Sequence, residues 1–363
     1  MPGDPKHGVP TNSHDFAALR HLPSAAVPPD VLCTLALPEP FPSLVGGGAT
    51  LRTLGRLLSR DELASELHER PVDVLCPQLR EPIDAVVLDA GGPRLRCVSL
   101  FAVGFNNVDV EAATERGVVV GNTPGVLTNA TADCAMGLIL AAARNLCEGD
   151  REVRAGRFAG WEPQYLLGQD VSGATLGVVG FGRIGQAVAR RALGFSMRVV
   201  YFDSTDPPIA DELQDRVLRV PLESLLREAD IITLHTPLND ETHHMIDERA
   251  LRAMKDTAIL VNTSRGPVID EAALARALRE RWIAGAGLDV YENEPALAPG
   301  LVECANVVLS PHLGSATFTT RAAMAELTAL NALDALAGTV PRHCVNPEAW
   351  AAAVPPPLIP AAT

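Results

Sequence analysis

Three side chains in the second half of the sequence have the types needed for acid–base work on an oxygenated carbon. They are Arg265 in LVNTSRGPVID, Glu294 in GLDVYENEP and His312 in LSPHLGSAT. Each stands at or just after the end of an apolar run of strand length. Arginine offers a permanently charged, planar fork for a carboxylate and a neighbouring carbonyl oxygen. Histidine offers a proton near neutral pH, and a carboxylate beside it stabilises the protonated ring, a part that suits Glu294. Reduction of a 2-oxo acid needs these groups and a hydride donor, and no metal. Taken singly, each residue has an ordinary explanation: a histidine packed in a turn, a surface ion pair, a solvated turn carboxylate. The joint pattern is what points to chemistry.

A hydride donor has a place in the same half. GVVGFGRIGQAVARRALGFSMRVVYFD puts Gly180, Gly182 and Gly185 in G-x-G-x-x-G spacing, after a strand pattern and at the start of a helical one. The first glycine permits a tight turn, the second lets a pyrophosphate approach the backbone, and the third lets the helix pack on the sheet with its N-terminus facing the anion. Asp203 follows 18 residues after Gly185, at the end of the next strand pattern. Its carboxylate can accept from an adenosine ribose and would repel a 2′-phosphate, so NAD(H) is expected in preference to NADP(H). The other glycine cluster, VGGGA at 45–49, lacks the strand, the spacing and the helix, and reads as a flexible loop.

The elements that must position these residues are also legible. From about Pro29, the apolar runs VLCTLA, DVLC, DAVVLD, CVSLF and GVVVG alternate with helical patterns, and SRDELASELHE opens with a capping box of Ser59 and Glu62. TADCAMGLILAAARNL reads as a long apolar helix that connects units or contacts a second subunit. A second series of runs then begins: TLGVVG, RVVYFD, RVLRV, DIITL, AILVN, AGLDV and NVVLS, with helices such as DEAALARALRE between most of them. Strands that are apolar throughout and alternate with helices imply a parallel sheet covered on both faces, with ligands outside the carboxyl ends of the strands. Arg265, Glu294 and His312 would then project over the same edge as the glycine loop.

Bulk properties exclude several classes. The chain of 363 residues is long enough for about two domains, and its net charge of -14 opposes general binding to nucleic acid or an anionic membrane. No apolar run approaches the roughly 20 residues of a membrane span. Seven cysteines show no CxxC spacing, which suggests reduced thiols in a cytoplasm. MPGDPKHGVPTNSHDF lacks the marks of a secretory signal, and both chain ends read as mobile.

These residues resemble the D-isomer specific 2-hydroxyacid dehydrogenase family over about residues 30 to 345. The glycine loop, NTSRGPVIDEAAL, AGAGLDVYENEP and VVLSPHLGSAT are similar to its signatures in order, and FAVGFNNVDVEAATERGVVVGNTPG is similar to its substrate-domain signature. The resemblance implies an α/β fold of two Rossmann-like, doubly wound parallel sheets with a cleft between them. A flavodoxin-like substrate domain would comprise 30–127 plus 318–345 and a dinucleotide-binding domain 128–317, flanked by a flexible extension, 1–29, and a flexible tail, 346–363. It also implies a homodimer built around the nucleotide domain.

By the same resemblance Arg265 binds substrate, Glu294 is the histidine's partner and His312 is the acid/base. Leu79 lines the pocket, and the amides of Val103 and Gly104 hold the substrate carboxylate. Cofactor contacts fall to Arg183, Ile184, Asp203, Thr236, Pro237, Thr263, Asp289, His312 and Gly314. His235 belongs to the cofactor loop and is no acid, while His243 and His244 read as an exposed loop. Asn106 departs from the pattern, since many relatives carry an acid or another polar residue there.

Within the family, WEPQYLLGQDVSGATLGVVG and LTALNALDALAG look most like the glyoxylate and hydroxypyruvate reductases that use NADH. Oxidation of D-3-phosphoglycerate or D-lactate is the alternative within the enzyme class, with Arg80 as a candidate phosphate ligand. From another class, the family's corepressors suggest an NAD(H)-sensing binding protein.

Overall fold

The computed structural model describes residues 28–352 and 357–360. The first unit runs β1 (Asp30–Cys33), α1 (Phe41–Gly46), β2 (Thr50–Thr53), α2 (Arg60–Glu69), β3 (Val74–Cys76), α3 (Ala85–Gly91), β4 (Cys97–Ser99), α4 (Val110–Glu115) and β5 (Val119–Gly121). Its strands form a parallel sheet in the order β2-β1-β3-β4-β5. Then come α5 (Thr128–Ala143) and α6 (Leu146–Arg154). The second unit runs β6 (Thr175–Val179), α7 (Arg183–Gly194), β7 (Arg198–Phe202), β8 (Val217–Arg219), α8 (Leu222–Glu228), β9 (Ile231–Leu234), α9 (Glu248–Ala253), β10 (Ile259–Asn262), α10 (Glu271–Arg279), β11 (Gly285–Leu288) and β12 (Val307–Leu309). Seven parallel strands lie in the order β12-β11-β10-β9-β6-β7-β8. The chain ends through α11 (Phe318–Leu336) and α12 (Pro347–Ala352).

Each sheet is buried on both faces, as its continuous apolar strands require. In the seven-stranded sheet, Leu225, Leu251, Leu274 and Leu278 cover one face, while Ile139, Ala187, Val188 and Ala192 cover the other. In the first sheet, Phe41, Ala329 and Leu336 lie on one side and Leu63, Leu67 and Val87 on the other. Complete burial of one such leucine contributes about 1.5–3 kcal/mol. α11 returns to the first sheet: its alanines at 325, 329 and 332 permit close approach, Ser99 Oγ donates to the Thr328 carbonyl at 2.8 Å, and Asn331 Nδ2 donates to the Asn122 carbonyl at 2.9 Å. α5 packs on α7, β10, β11 and β12.

The structure changes three expectations. DAVVLD forms α3 and not a strand, because Asp84 caps it by accepting from the amides of Val86 and Val87. TLRT, with no fully buried residue, is an edge strand, β2, whose polar content hid it. The flexible tail from 346 is partly ordered: Asn346 is buried and bonded to the Val120 amide and the Val118 carbonyl. Pro347 starts α12, Trp350 is buried, and Ile359 packs in the same core. Residues 1–27, including most of the proposed N-terminal extension, lie outside the described residues.

Candidate active site

The order of strands in the larger sheet reverses between β6 and β9, and a ligand of such a sheet sits at that crevice. The loops after these two strands touch. Gly180 has φ +89, and a Cβ there would lie 2.7 Å from the His235 carbonyl carbon and 2.8 Å from the Thr236 nitrogen. A Cβ on Gly185 would meet the Gly180 carbonyl oxygen at 2.1 Å, so close helix packing demands that glycine too. Gly182, the residue before α7, faces open space on its Cβ side. Arg183 and Ile184 begin the helix, and Arg183 lines a cavity of about 500 Å³ with Gly125, Thr128, Asn129, Pro208 and Ile209. Another cavity, of about 190 Å³, lies at the amino ends of β10 to β12 and contains none of these residues.

Asp203 stands just past β7. Its Oδ2 accepts from the Phe181 amide at 2.7 Å, inside the glycine loop, and its Oδ1 accepts from the Thr205 amide and hydroxyl at 2.8 and 2.7 Å. Burial pushes this carboxyl up, but the Thr205 and Phe181 bonds and the Arg219 charge outweigh it and hold the group below its usual range. A carboxylate has about four acceptor positions, so one remains for a ribose hydroxyl. Arg219 is already bonded to the carbonyls of Asp203 and Thr205 and to Asp206.

Beyond β9 and β10, the hydroxyls of Thr236 and Thr263 and the Nδ1 of His235 are buried without hydrogen-bond partners among the described residues. Unpaired buried polar groups cost about 1–3 kcal/mol each. Their clustering with Pro237 beside the glycine loop fits the edge of a bound nicotinamide dinucleotide. Burial pushes His235 down to about 3, so its ring is neutral and not an acid.

Asn262, the last residue of β10, shapes the turn that presents Arg265. Its Oδ1 accepts from the Ser264 amide and hydroxyl, and its Nδ2 donates to the Arg265 carbonyl at 2.8 Å. The guanidinium reaches across to the loop after β4. Nε donates to Asn106 Oδ1 at 2.9 Å, Nη1 donates to the Ser264 carbonyl at 2.8 Å, and Nη2 lies against Gly104, where a Cβ would sit 1.8 Å from it. Burial pulls the guanidinium below its ordinary value, with the Glu294 charge acting against that. Val103 and Gly104 therefore adjoin the fork, and Leu79 is half-buried in the loop after β3.

Glu294 and His312 are brought together by neighbouring strands, with Leu288 of β11 in register with Leu309 of β12. His312 Nδ1 is 3.1 Å from Glu294 Oε2, and Glu294 Oε1 accepts from the Tyr291 amide at 3.1 Å. Burial pushes the Glu294 carboxyl up, while the His312 bond and charge, the Tyr291 amide and Arg265 together hold it below its usual range. His312 has φ +56, an uncommon backbone conformation for a non-glycine residue. Asp289 maintains it. This carboxylate, 1% exposed, accepts from the amides of Leu313 and Gly314 at 2.7 Å each.

Asn262, the bracing role of Asp289 and the Asn106 contact are absent from the sequence reading. So is Arg321 on α11, half-buried near Asp289 and 5.6 Å over the Phe101 ring. His244, expected in an exposed loop, is half-buried and pairs with Glu292 at 2.9 Å. Glu292 and the buried Glu271 each accept the other's backbone amide, which frames the loop carrying Glu294. An N-x-S turn pattern at Asn262 was the one local signal available.

Residues 136–314 match the profile of the D-isomer specific 2-hydroxyacid dehydrogenase NAD binding domain. The chain is 54% identical over 283 residues to the glyoxylate reductase of Thermococcus gammatolerans, covering 77% of this chain and 84% of that one. Among solved structures, a protein of Thermus thermophilus superposes with a TM-score of 0.80 at 43% identity, covering 87% of this chain and 99% of the other. The NADPH-dependent glyoxylate/hydroxypyruvate reductase of Sinorhizobium meliloti, in complex with NADP and malonate, superposes with a TM-score of 0.77 at 31% identity, covering 87% and 96%. With its two parallel sheets and this extent of identity, the chain belongs to the D-isomer specific 2-hydroxyacid dehydrogenase family of oxidoreductases.

Proposed function

We propose that the chain is an NAD(H)-dependent reductase of a small 2-oxo acid, glyoxylate or hydroxypyruvate, giving glycolate or D-glycerate. The observation that carries this is the Glu294–His312 pair, whose carboxylate also feels the Arg265 charge, on the same sheet edge as the glycine loop. Relatives named glyoxylate reductase at about half identity support the substrate class. Gly180, Gly182, Arg183, Ile184, Gly185, Asp203, Thr236, Pro237, Thr263, Asp289 and Gly314 would hold the dinucleotide. That group supplies a hydride to the keto carbon when bound.

The protein's own part is binding, polarisation and proton delivery. Arg265 and the amides of Val103 and Gly104 bind the substrate carboxylate, with Leu79 beside it. Arg265 also neutralises charge as it develops on the keto oxygen. His312 turns Nδ1 to Glu294, which leaves Nε2 to deliver the proton to that oxygen, and Glu294 stabilises the protonated ring. In the reverse direction His312 takes the proton back.

Residues 30–127 and 318–345 would form the substrate domain, extended by 346–352 and 357–360, and 128–317 the nucleotide domain. A homodimer is supported by the exposed apolar side chains of Leu146, Val153, Trp161 and Leu167 around α6. All seven thiols are free, which suits a reducing cytoplasm. Among the described residues, no helix is long and apolar enough to cross a membrane. Arg80 is exposed, which gives a substrate phosphate little support.

Initial rates of NADH oxidation against glyoxylate, hydroxypyruvate, pyruvate and 3-phosphohydroxypyruvate test the substrate class. The first two should lead, and preference for the phosphorylated acid would refute the assignment. Asp203→Ala should narrow the preference for NADH over NADPH about tenfold or more, since it removes both a ribose acceptor and a charge that repels phosphate. An unchanged ratio of kcat/KM values would mean that another residue reads the ribose. Gly104→Ala should lower kcat/KM for glyoxylate about 100-fold, because its Cβ must displace Arg265 by an ångström or more. Equilibrium titration should show NADH affinity unchanged.

A further inference from the structure

Arg265 differs from most arginines of this protein in what it is bonded to. Arg52, Arg94, Arg116, Arg190 and Arg342 are each paired with a carboxylate. Among the described residues no carboxylate forms an ion pair with Arg265, and its hydrogen-bond acceptors are two neutral oxygens, Asn106 Oδ1 and the Ser264 carbonyl. One comes from its own loop. The other crosses from the loop of the five-stranded unit, 159 residues away in sequence.

We propose that Asn106 is a positioning and specificity residue: its amide aims the Arg265 fork at the substrate carboxylate without neutralising it, and so sets the affinity for anionic 2-oxo acids. This rests on the assignment of Arg265 as the substrate-binding cation. The guanidinium has five N–H donors in one plane. Fixing Nε on Asn106 and one Nη1 hydrogen on the Ser264 carbonyl determines that plane, and leaves Nη2 against Gly104, beside the Val103–Gly104 amides.

The turn behind Asn106, itself exposed, is tied to neighbouring loops by hydrogen bonds. Its neighbour Asn107 donates from Nδ2 to the carbonyls of Gln78 and Glu81 at 3.2 and 3.0 Å, and its own carbonyl accepts from the Ile83 amide at 2.7 Å. The fully buried Glu81 carboxylate then accepts from the Thr34 hydroxyl and the amides of Leu58 and Gln78. These bonds fasten the Asn106 turn to the loop carrying Leu79. The amide thus connects the frame of the substrate loop to the cation that must face it.

The chemistry of the alternatives makes the role testable. An aspartate at 106 would preserve the acceptor oxygen and the shape of the contact while placing a negative charge on the fork. It would compete with the substrate's carboxylate for the same cation. An alanine would remove the acceptor and leave the charge, so the fork would lose its aim.

Asn106→Asp, Asn106→Ala and Arg265→Ala should be compared with the wild-type protein by steady-state kinetics with glyoxylate, inhibition by oxalate, NADH titration and thermal unfolding. For Asn106→Asp the expected result is a rise of about tenfold or more in the oxalate inhibition constant and a fall of about tenfold or more in kcat/KM. For Asn106→Ala it is a fall of about tenfold in kcat/KM, with a smaller loss of oxalate affinity than in Asn106→Asp. NADH affinity and Tm should stay at wild-type values in both. If Arg265→Ala is severe but both Asn106 variants stay within twofold of wild type, the inference fails and the assignment of Arg265 stands. If Arg265→Ala leaves KM unchanged, both fall together. Equal losses of oxalate and NADH affinity with a lowered Tm would show a merely structural role and overturn the inference.

Discussion

His312→Ala is expected to lower kcat with glyoxylate about 100- to 10,000-fold while NADH affinity stays within about twofold of wild type. The range is that of a positioned general acid or base. The geometry explains why the two effects separate. His312 Nδ1 is committed to Glu294, so on the proposed assignment the group lost with the imidazole is the Nε2 proton donor. The loop itself is held by Asp289 through the Leu313 and Gly314 amides, which the substitution does not touch. Steady-state rates and fluorescence titration of NADH measure the two quantities independently. A loss of cofactor affinity in step with kcat would mean that His312 acts mainly in binding.

Arg265→Lys should lower kcat/KM about 100- to 1000-fold although the charge is retained. Lysine places one compact ammonium where the arginine divides its donors between Asn106 and the Ser264 carbonyl, with the rest left, on the proposed assignment, for the substrate. A lysine cannot keep those two anchors and still present a pair of donors to a carboxylate. The expected cost equals that of removing one donor aimed at a developing oxyanion. The change should appear in KM and kcat together, since on the proposed assignment the same fork would hold the carboxylate and polarise the carbonyl. Wild-type KM in this variant would show that positive charge alone suffices and that the planar geometry is irrelevant.

Much of this arrangement was legible from local pattern. The glycine spacing, the acid after the next strand, the capping box at Ser59 and the runs of the larger sheet depend on residues close in sequence, and the structure contains the corresponding elements. Parallel strands then place everything after a strand on one edge, which is why Arg265, Glu294 and His312 could be grouped before any distance was known. What escaped depends on partners far apart in sequence or on competition between local signals. Asp84 makes DAVVLD a helix although its valines favour a strand. Asn346 anchors the chain after α11 through partners more than 200 residues away, which a reading by composition takes for a tail. Asp289 resembles a cofactor ligand by position, yet its described hydrogen bonds brace the loop of His312. Asn106 stood out only as a departure from pattern until the contact with Arg265, 159 residues away in sequence, gave it a partner.

The most direct test of the central claim is a single-turnover reaction of the protein with NADH carrying deuterium at both C4 positions and excess glyoxylate. The account predicts one glycolate formed per NADH consumed, with one deuterium on its C2 and none in the solvent. It also predicts that the His312→Ala protein binds the labelled NADH equally well and transfers the label at least about 100 times more slowly. Binding of NADH by the wild-type protein without transfer of deuterium to glyoxylate or hydroxypyruvate would contradict the claim.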